Sequence, residues 1–334
     1  MNFNFKRNRA IKIIKKALID LQLDLCGKVI LTELGSNDFL FTPLIPILAN
    51  ANKVYAFVKD SKYGKAEDLK KEFELHFADF EGIEKIQIFC NNLPNFCIKE
   101  ADIITNSAHL RPLDASKLSL AQKNVVIPIM YEAWELRDGE IDLDFCRKNS
   151  IPLGGTNESY ELTNVFNYVK VLGLKLALNA GYEIIENEIF IWSNDSFGEM
   201  LNQSFTQNGA NVHLSTEIDL FYSQLPKLDI LFVADYFEER DYFGVDNSIF
   251  DVDKIMRINP NLCIIHLYGK VNNDLLNKFG FHVFPNKKGL YKVMTETLSY
   301  SGQLPILKLL VAGFKVAEEL ISKKYSKITQ IINE

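Results

Sequence analysis

The sequence predicts an α/β protein made of two doubly wound, parallel-sheet lobes of the Rossmann-like kind, joined by hinge helices. Three observations lead there. The 334 residues exceed the roughly 100–200 of a single domain, so two cores are expected. Short, continuous apolar runs alternate with amphipathic segments, which is the pattern of parallel strands covered by helices on both faces. That alternation restarts after Gly181, beyond a turn cluster at Ile151–Asn157 and a long helical stretch.

Each element follows in order. Ile11, Ile13, Ile14, Ala17, Leu18, Leu21 and Leu23 recur near helical spacing and open the chain with an amphipathic helix. Lys28–Thr32 is a strand, followed by the loop Glu33–Asp38, and Thr42-Pro43 offers an N-cap with proline at the first helical position. Val54–Val58 is the second strand, a Lys/Glu-rich helix runs from about Lys65 to His76, and Ile86–Phe89, Ala101–Thr105 and Val125–Ile129 continue the sheet. The lobe boundary is set after Gly155, giving lobes of 1–155 and 156–334, with a helix from about Tyr160 to Ala180. In the second lobe Glu188–Trp192, Asn211–Leu214, Leu228–Ala234 and Leu262–Leu267 read as strands, with helices at Gly198–Gln207, Val252–Ile258 and Asp274–Phe279. Pro305–Ser322 closes the chain as a helix with proline in its first turn.

Composition narrows the function. Lys and Arg number 37 against 43 Asp and Glu, a formal net charge of -6, so no global basic excess draws a nucleic-acid backbone. No apolar run reaches the ~20 residues of a membrane span, Lys308 interrupting even Ile306–Phe314. The start carries Lys6, Arg7, Arg9, Lys12, Lys15 and Lys16 and lacks the apolar core of a signal peptide. Cys26, Cys90, Cys97, Cys146 and Cys263 are scattered and odd in number, with no paired spacing for zinc or a redox centre, which suits reduced thiols in a cytoplasmic protein.

In such sheets ligands bind beyond the carboxyl ends of the strands, so the loops there carry the functional argument. In the first lobe these loops supply Glu33, Lys59, Asp60, Asn106, Ser107, His109, Arg111, Tyr131, Glu132, Trp134 and Glu135. His109 offers an imidazole suited to proton transfer, Arg111 a guanidinium able to grip a carboxylate or phosphate, and Glu132 a group to orient either. Those three are the catalytic candidates, with Glu33, Asn106, Ser107 and Tyr131 as substrate contacts. Turn formation and capping are the alternative role of each. His213 and His266, in or beside apolar strands, read as core histidines.

In the second lobe, Ser193-Asn194-Asp195-Ser196-Phe197-Gly198 stands where a dinucleotide fold carries G-x-G-x-x-G. Only the third glycine, Gly198, is kept, and Asp195 sets a carboxylate where pyrophosphate would approach. Ser193, Ser196, Phe197, Gly198, Thr216 and Asp235 are the cofactor-binding candidates. Glu217, or Ser215 with Thr216, falls where a ribose or phosphate ligand is expected. A helix N-terminus capped by Asp195 or Ser196 is the alternative.

Through Gly155-Thr156-Asn157, the helical stretch Tyr160–Ala180 and the strand-turn-helix ending at Gly198, the chain resembles the D-2-hydroxyacid dehydrogenase superfamily. The resemblance implies a substrate lobe, a lobe binding NAD or NADP, and hydride transfer on a small polar or anionic metabolite in the cleft between lobes. It departs at Ile265–Lys270, where Tyr268 stands in place of the family's catalytic arginine, and no counterpart of the catalytic Glu or His is found between Phe281 and Pro305. Two other readings stay open. One is a non-redox ligand-binding protein that has lost the dinucleotide. The other is a methyltransferase binding S-adenosylmethionine through Glu33, Gly35 and Asp60. The expected partners are a small-molecule substrate and a second copy in a homodimer, with no nucleic acid, membrane or metal.

Overall fold

The computed structural model describes residues 3–244 and 248–333. Its chain divides into two units, the first running to Val165 and resuming at Gln303, the second covering Phe166–Gly302.

In the first unit the apolar runs become β1 (Val29–Glu33), β2 (Lys53–Val58), β3 (Ile86–Cys90) and β4 (Ile103–Ile104), a parallel sheet of order β3-β2-β1-β4. Backbone bonds from Ile104 N to Val126 O, 3.1 Å, and from Asn106 N to Pro128 O, 3.0 Å, carry the parallel pairing into β5 (Ile127–Pro128) and thence β6 (Leu153–Thr156). Strand order reverses between β1 and β4, so this unit's crevice lies at their carboxyl ends. Leu31, Tyr55, Ile104, Ile127 and Leu153 share its core.

The second unit contains β7 (Glu188–Trp192), β8 (Asn211–Leu214), β9 (Ile230–Val233), β10 (Cys263–His266) and β11 (His282–Phe284), all parallel, in the order β11-β10-β9-β7-β8. Its reversal lies between β7 and β9. Phe190, Phe221, Tyr242 and Phe250 anchor its core. Each unit thus has the doubly wound, Rossmann-like architecture.

Several boundaries differ from the sequence reading. The break drawn after Gly155 moves to Val165, because Leu153–Thr156 is a buried strand and not a turn, its glycines admitting neighbours at close range. A Cβ on Gly155 would lie 2.5 Å from Ala133 N. The stretch from Tyr160 is helical only over Tyr168–Asn179. The closing helix, Gln303–Ser322, belongs to the first unit, not the second. Its buried Leu307, Val311 and Phe314 give it an apolar face, it packs on the opening helix Phe3–Leu21 and on β6, and the strand Thr329–Asn333 then pairs antiparallel with β6. Thr42 is no N-cap. A 3-10 turn spans Asn37–Phe41, Pro43 precedes the short helix Leu44–Leu48, and the buried Thr42 Oγ1 has no hydrogen-bond partner. No helix among the described residues is long and apolar enough to cross a membrane.

Candidate functional site

At the β1/β4 reversal, adjacent strands first tie themselves together. Thr105 Oγ1 donates to Thr32 Oγ1 at 2.9 Å and is also bonded to Ser107 Oγ, so Ser107 is buried in a hydroxyl chain. Glu33, at the end of β1, is buried, and its Oε2 accepts the backbone N–H of His109 at 3.2 Å. Burial pushes the Glu33 carboxyl up from its ordinary range, against the lowering pull of the His109 and Ala108 amides and of Arg111. The half-buried His109 accepts the backbone N–H of Lys59, at the end of β2, on Nδ1 at 3.2 Å. Its neutral ring therefore carries the proton on Nε2. Burial, with the Lys59 charge, lowers its pKa. Three strand ends thereby bring Glu33, Lys59 and His109 together, and Lys59 Nζ donates to the backbone carbonyl of Arg111 at 3.1 Å.

The expected trio of His109, Arg111 and Glu132 is not assembled. Arg111 donates from Nη1 to Glu140 Oε1 at 2.8 Å and from Nη2 and Nε to the Asn106 carbonyl at 2.9 and 3.2 Å, while its guanidinium lies over the Tyr131 ring at 5.2 Å. Asn106 Nδ2 donates to Tyr131 Oη at 2.8 Å, and the Tyr131 hydroxyl donates to Glu140 Oε2. Arg111, Asn106 and Tyr131 thus form one internal network closed by Glu140. Sequence reading missed Glu140 because Arg137-Asp138-Gly139-Glu140 looks like any solvated turn. Glu132 is buried elsewhere: Oε1 accepts the backbone N–H of Glu158 at 2.7 Å and Oε2 accepts Gln330 Nε2 at 2.5 Å. Nothing in the spacing of Glu158 or Gln330 announced this. Burial pushes the neighbouring Glu135 up to about 7, with Glu132 and Glu140 adding to it and Arg137 opposing.

Asp60, the acid that the methyltransferase reading expects at the end of β2, is a loop cap. Its carboxylate accepts from Ala66 N at 2.9 Å, Lys65 Nζ at 3.0 Å and Asn91 Nδ2 at 3.2 Å; the amide of Ala66, foremost, with Lys65 and Asn91 holds its pKa down at about 2.

In the second unit the Ser193–Gly198 turn is filled by its own acid. Asp195 Oδ1 accepts the hydroxyl of Ser193 at 2.9 Å and the backbone N–H groups of Phe197 at 2.9 Å and Gly198 at 3.3 Å, and Oδ2 accepts the N–H of Tyr236 at 2.8 Å. A Cβ on Gly198 would stand 2.5 Å from Ser193 Cβ, so this glycine lets the helix Ser196–Gln207 close on the strand end. The buried Phe197 ring stacks on Phe166 at 5.1 Å and meets Tyr268 at 4.7 Å. Asp235 is buried after β9, accepts Phe237 N at 3.0 Å, and is pushed up by burial, with the charges of Asp195 and Glu238 adding. Ser196 and Thr216 are exposed. A nicotinamide dinucleotide, the group this fold implies, does not fit this turn. The helix amides that would hold its pyrophosphate are already bonded to Asp195, and Asp235 lies close enough to add its own negative charge.

His266 is a satisfied core residue, with Nδ1 on Thr295 Oγ1 at 3.0 Å and Nε2 on the Pro285 carbonyl at 3.2 Å. His213 stacks on Phe190 at 6.3 Å.

No protein-family model matches this chain, and no curated protein sequence is significantly similar to it. Solved structures are. A dipicolinate synthase chain from Bacillus subtilis superposes with a TM-score of 0.56 at 13% identity, over 91% of this chain and 100% of that one. A 2-hydroxyacid dehydrogenase from Ketogulonicigenium vulgare Y25 gives 0.54 at 12% identity, over 92% and 100%. A dipicolinate synthase chain from Bacillus halodurans gives 0.51 at 11% identity, over 86% and 96%. The chain has the fold of these proteins.

Proposed function

We propose that the first unit binds a small polar or anionic metabolite at the ends of β1, β2 and β4, with Lys59 and the Nε2–H of His109 as its donors and Glu33 beneath them. The observation that carries this is the bond from Lys59 N to His109 Nδ1, 3.2 Å. It makes the ring a hydrogen-bond donor through Nε2, and the Lys59 ammonium, bonded to the Arg111 carbonyl, lies near enough for its charge to act on the ring, a pairing suited to an oxyanion. It also takes up the only basic nitrogen of the neutral ring, so His109 in this role binds and orients but does not remove a proton. Arg111 acts through Asn106 and Tyr131, holding the β4 loop, and is a positioning residue.

Titration calorimetry with oxalate, lactate and inorganic phosphate tests the reading. At least one is expected to bind, with affinity falling about tenfold or more in Lys59→Ala and in His109→Ala, the loss of one charge-assisted hydrogen bond being worth ~1.5–3 kcal/mol. Unchanged affinity in both variants would sink it.

The second reading is an NAD(P)-dependent oxidoreductase acting on such a metabolite. The fold shared with the Ketogulonicigenium vulgare 2-hydroxyacid dehydrogenase favours it, at a TM-score of 0.54. Thermal shifts with NAD, NADH, NADP and NADPH decide it, since a ligand at 100 times its Kd adds ~2.7 kcal/mol of stability. S-adenosylhomocysteine in the same screen tests the methyltransferase alternative.

A further inference from the structure

We infer that Asp195 is the resident anion of the helix N-terminus after β7, so that the second unit offers no seat there for the pyrophosphate of a nicotinamide dinucleotide while this carboxylate is in place. The helix Ser196–Gln207 is 12 residues long, and the amides of Phe197 and Gly198 in its first turn both donate to one carboxylate oxygen. A helix start of this kind binds anions through such amides and its dipole. Two further donors converge from outside the helix. The hydroxyl of Ser193, itself only 2% exposed, reaches the same oxygen, and the amide of Tyr236, from the end of β9, reaches the other. Four donors from two strand ends and one helix are what a phosphate group would collect, and a single side chain has collected them.

The surroundings agree. Asp235 is 4% exposed and lies close enough to Asp195 for their charges to interact, and Arg240, the cation of the following loop, pairs with Glu238 at 2.7 Å. An incoming pyrophosphate would have to displace Asp195 and then sit near the negative charge of Asp235. Taking Asp195 away removes the one carboxylate that the amides of Phe197, Gly198 and Tyr236 and the hydroxyl of Ser193 share. Glycine is tolerated at an N-cap, so Asp195→Gly is the informative change.

The test follows the backbone amide resonances of Phe197, Gly198 and Tyr236 in the full chain during titration with NADH and, separately, with inorganic pyrophosphate. In the wild type none of the three is expected to move with either ligand. In Asp195→Gly they are expected to move with pyrophosphate, at an affinity at least tenfold above the wild type. Asp195→Asn, which keeps an acceptor oxygen but loses the charge, serves if the glycine variant does not fold, with the same direction expected. Movement of these amides in the wild type on adding NADH overturns the inference, as does a folded Asp195 variant that gains no affinity for pyrophosphate. NADH binding seen as heat without movement of these amides supports it. The first-unit ligand proposal is untouched by any of these results, since its variants and ligands are different.

Discussion

His266 and His109 show two uses of an imidazole. His266 is fully buried with both nitrogens bonded, and burial, against the raising effect of its Pro285 and Asn273 neighbours, brings its pKa down to about 4. The folded protein thus refuses a proton that the unfolded chain accepts near pH 6.5. Stability is complete above that pH and is lost as pH falls from about 6.5 to about 4, by up to ~3 kcal/mol. Urea unfolding across this window should show the loss in the wild type and a flatter profile in His266→Gln. Equal slopes would mean that another group controls the acid limb. That His266 is a core residue is legible from its apolar neighbours in the sequence. The tautomer of His109 is not, because it depends on an amide 50 residues away that only strand pairing brings near.

At the scale of elements, the two units use one device twice. Asp102, just before β4, accepts the amide of Val29 at the start of β1 at 2.8 Å, and Asp229, just before β9, accepts the amide of Glu188 at the start of β7 at 2.8 Å. In both places the acid closes the amino end of the sheet opposite the functional rim. Asp102→Ala and Asp229→Ala should each cost ~1–3 kcal/mol, the penalty of an unsatisfied strand amide, read as a lower denaturant midpoint. A second element-scale prediction concerns the loop after β5. The pKa of Glu135 stands at about 7 chiefly through burial, so folding binds a proton there, and stability falls as pH rises from about 4.5 to about 7. Glu135→Gln should be more stable than the wild type at pH 8, by roughly 1–3 kcal/mol, and gain little at pH 4.5. Thermal unfolding at the two pH values checks both signs. Gly155→Ala, driven against the backbone of Ala133 at 2.5 Å, should destabilise by ~1–3 kcal/mol or more.

For the whole molecule, the second unit is continuous in sequence and the first is not. Residues 166–302 hold one complete apolar core and should unfold cooperatively when expressed alone. A chain ending at 302 should fare worse than this fragment, because it deletes the helix Gln303–Ser322 and the strand Thr329–Asn333 from the first unit. With them go Glu319, which accepts Ser326 N at 2.8 Å and Thr329 Oγ1 at 2.7 Å, and Gln330, which accepts Ala133 N at 2.8 Å. Circular dichroism melts of both truncations give the answer, and a sharp, full transition in the 1–302 chain would contradict this partition.

What the sequence determined by itself was the repeated strand and helix alternation and the rims where polar residues collect, since apolar periodicity is a local property that burial rewards directly. Leu153–Thr156 escaped it because a glycine like Gly155, whose Cβ would stand 2.5 Å from Ala133 N, looks in one dimension like a glycine that turns a chain. The partners of each rim residue were decided only by the tertiary structure. Arg111 met Glu140, Glu132 met Gln330, and Asp195 met Tyr236 across separations of 29, 198 and 41 residues. A carboxylate or guanidinium takes whichever donors or acceptors the fold delivers within about 3 Å, and no spacing along the chain encodes that delivery.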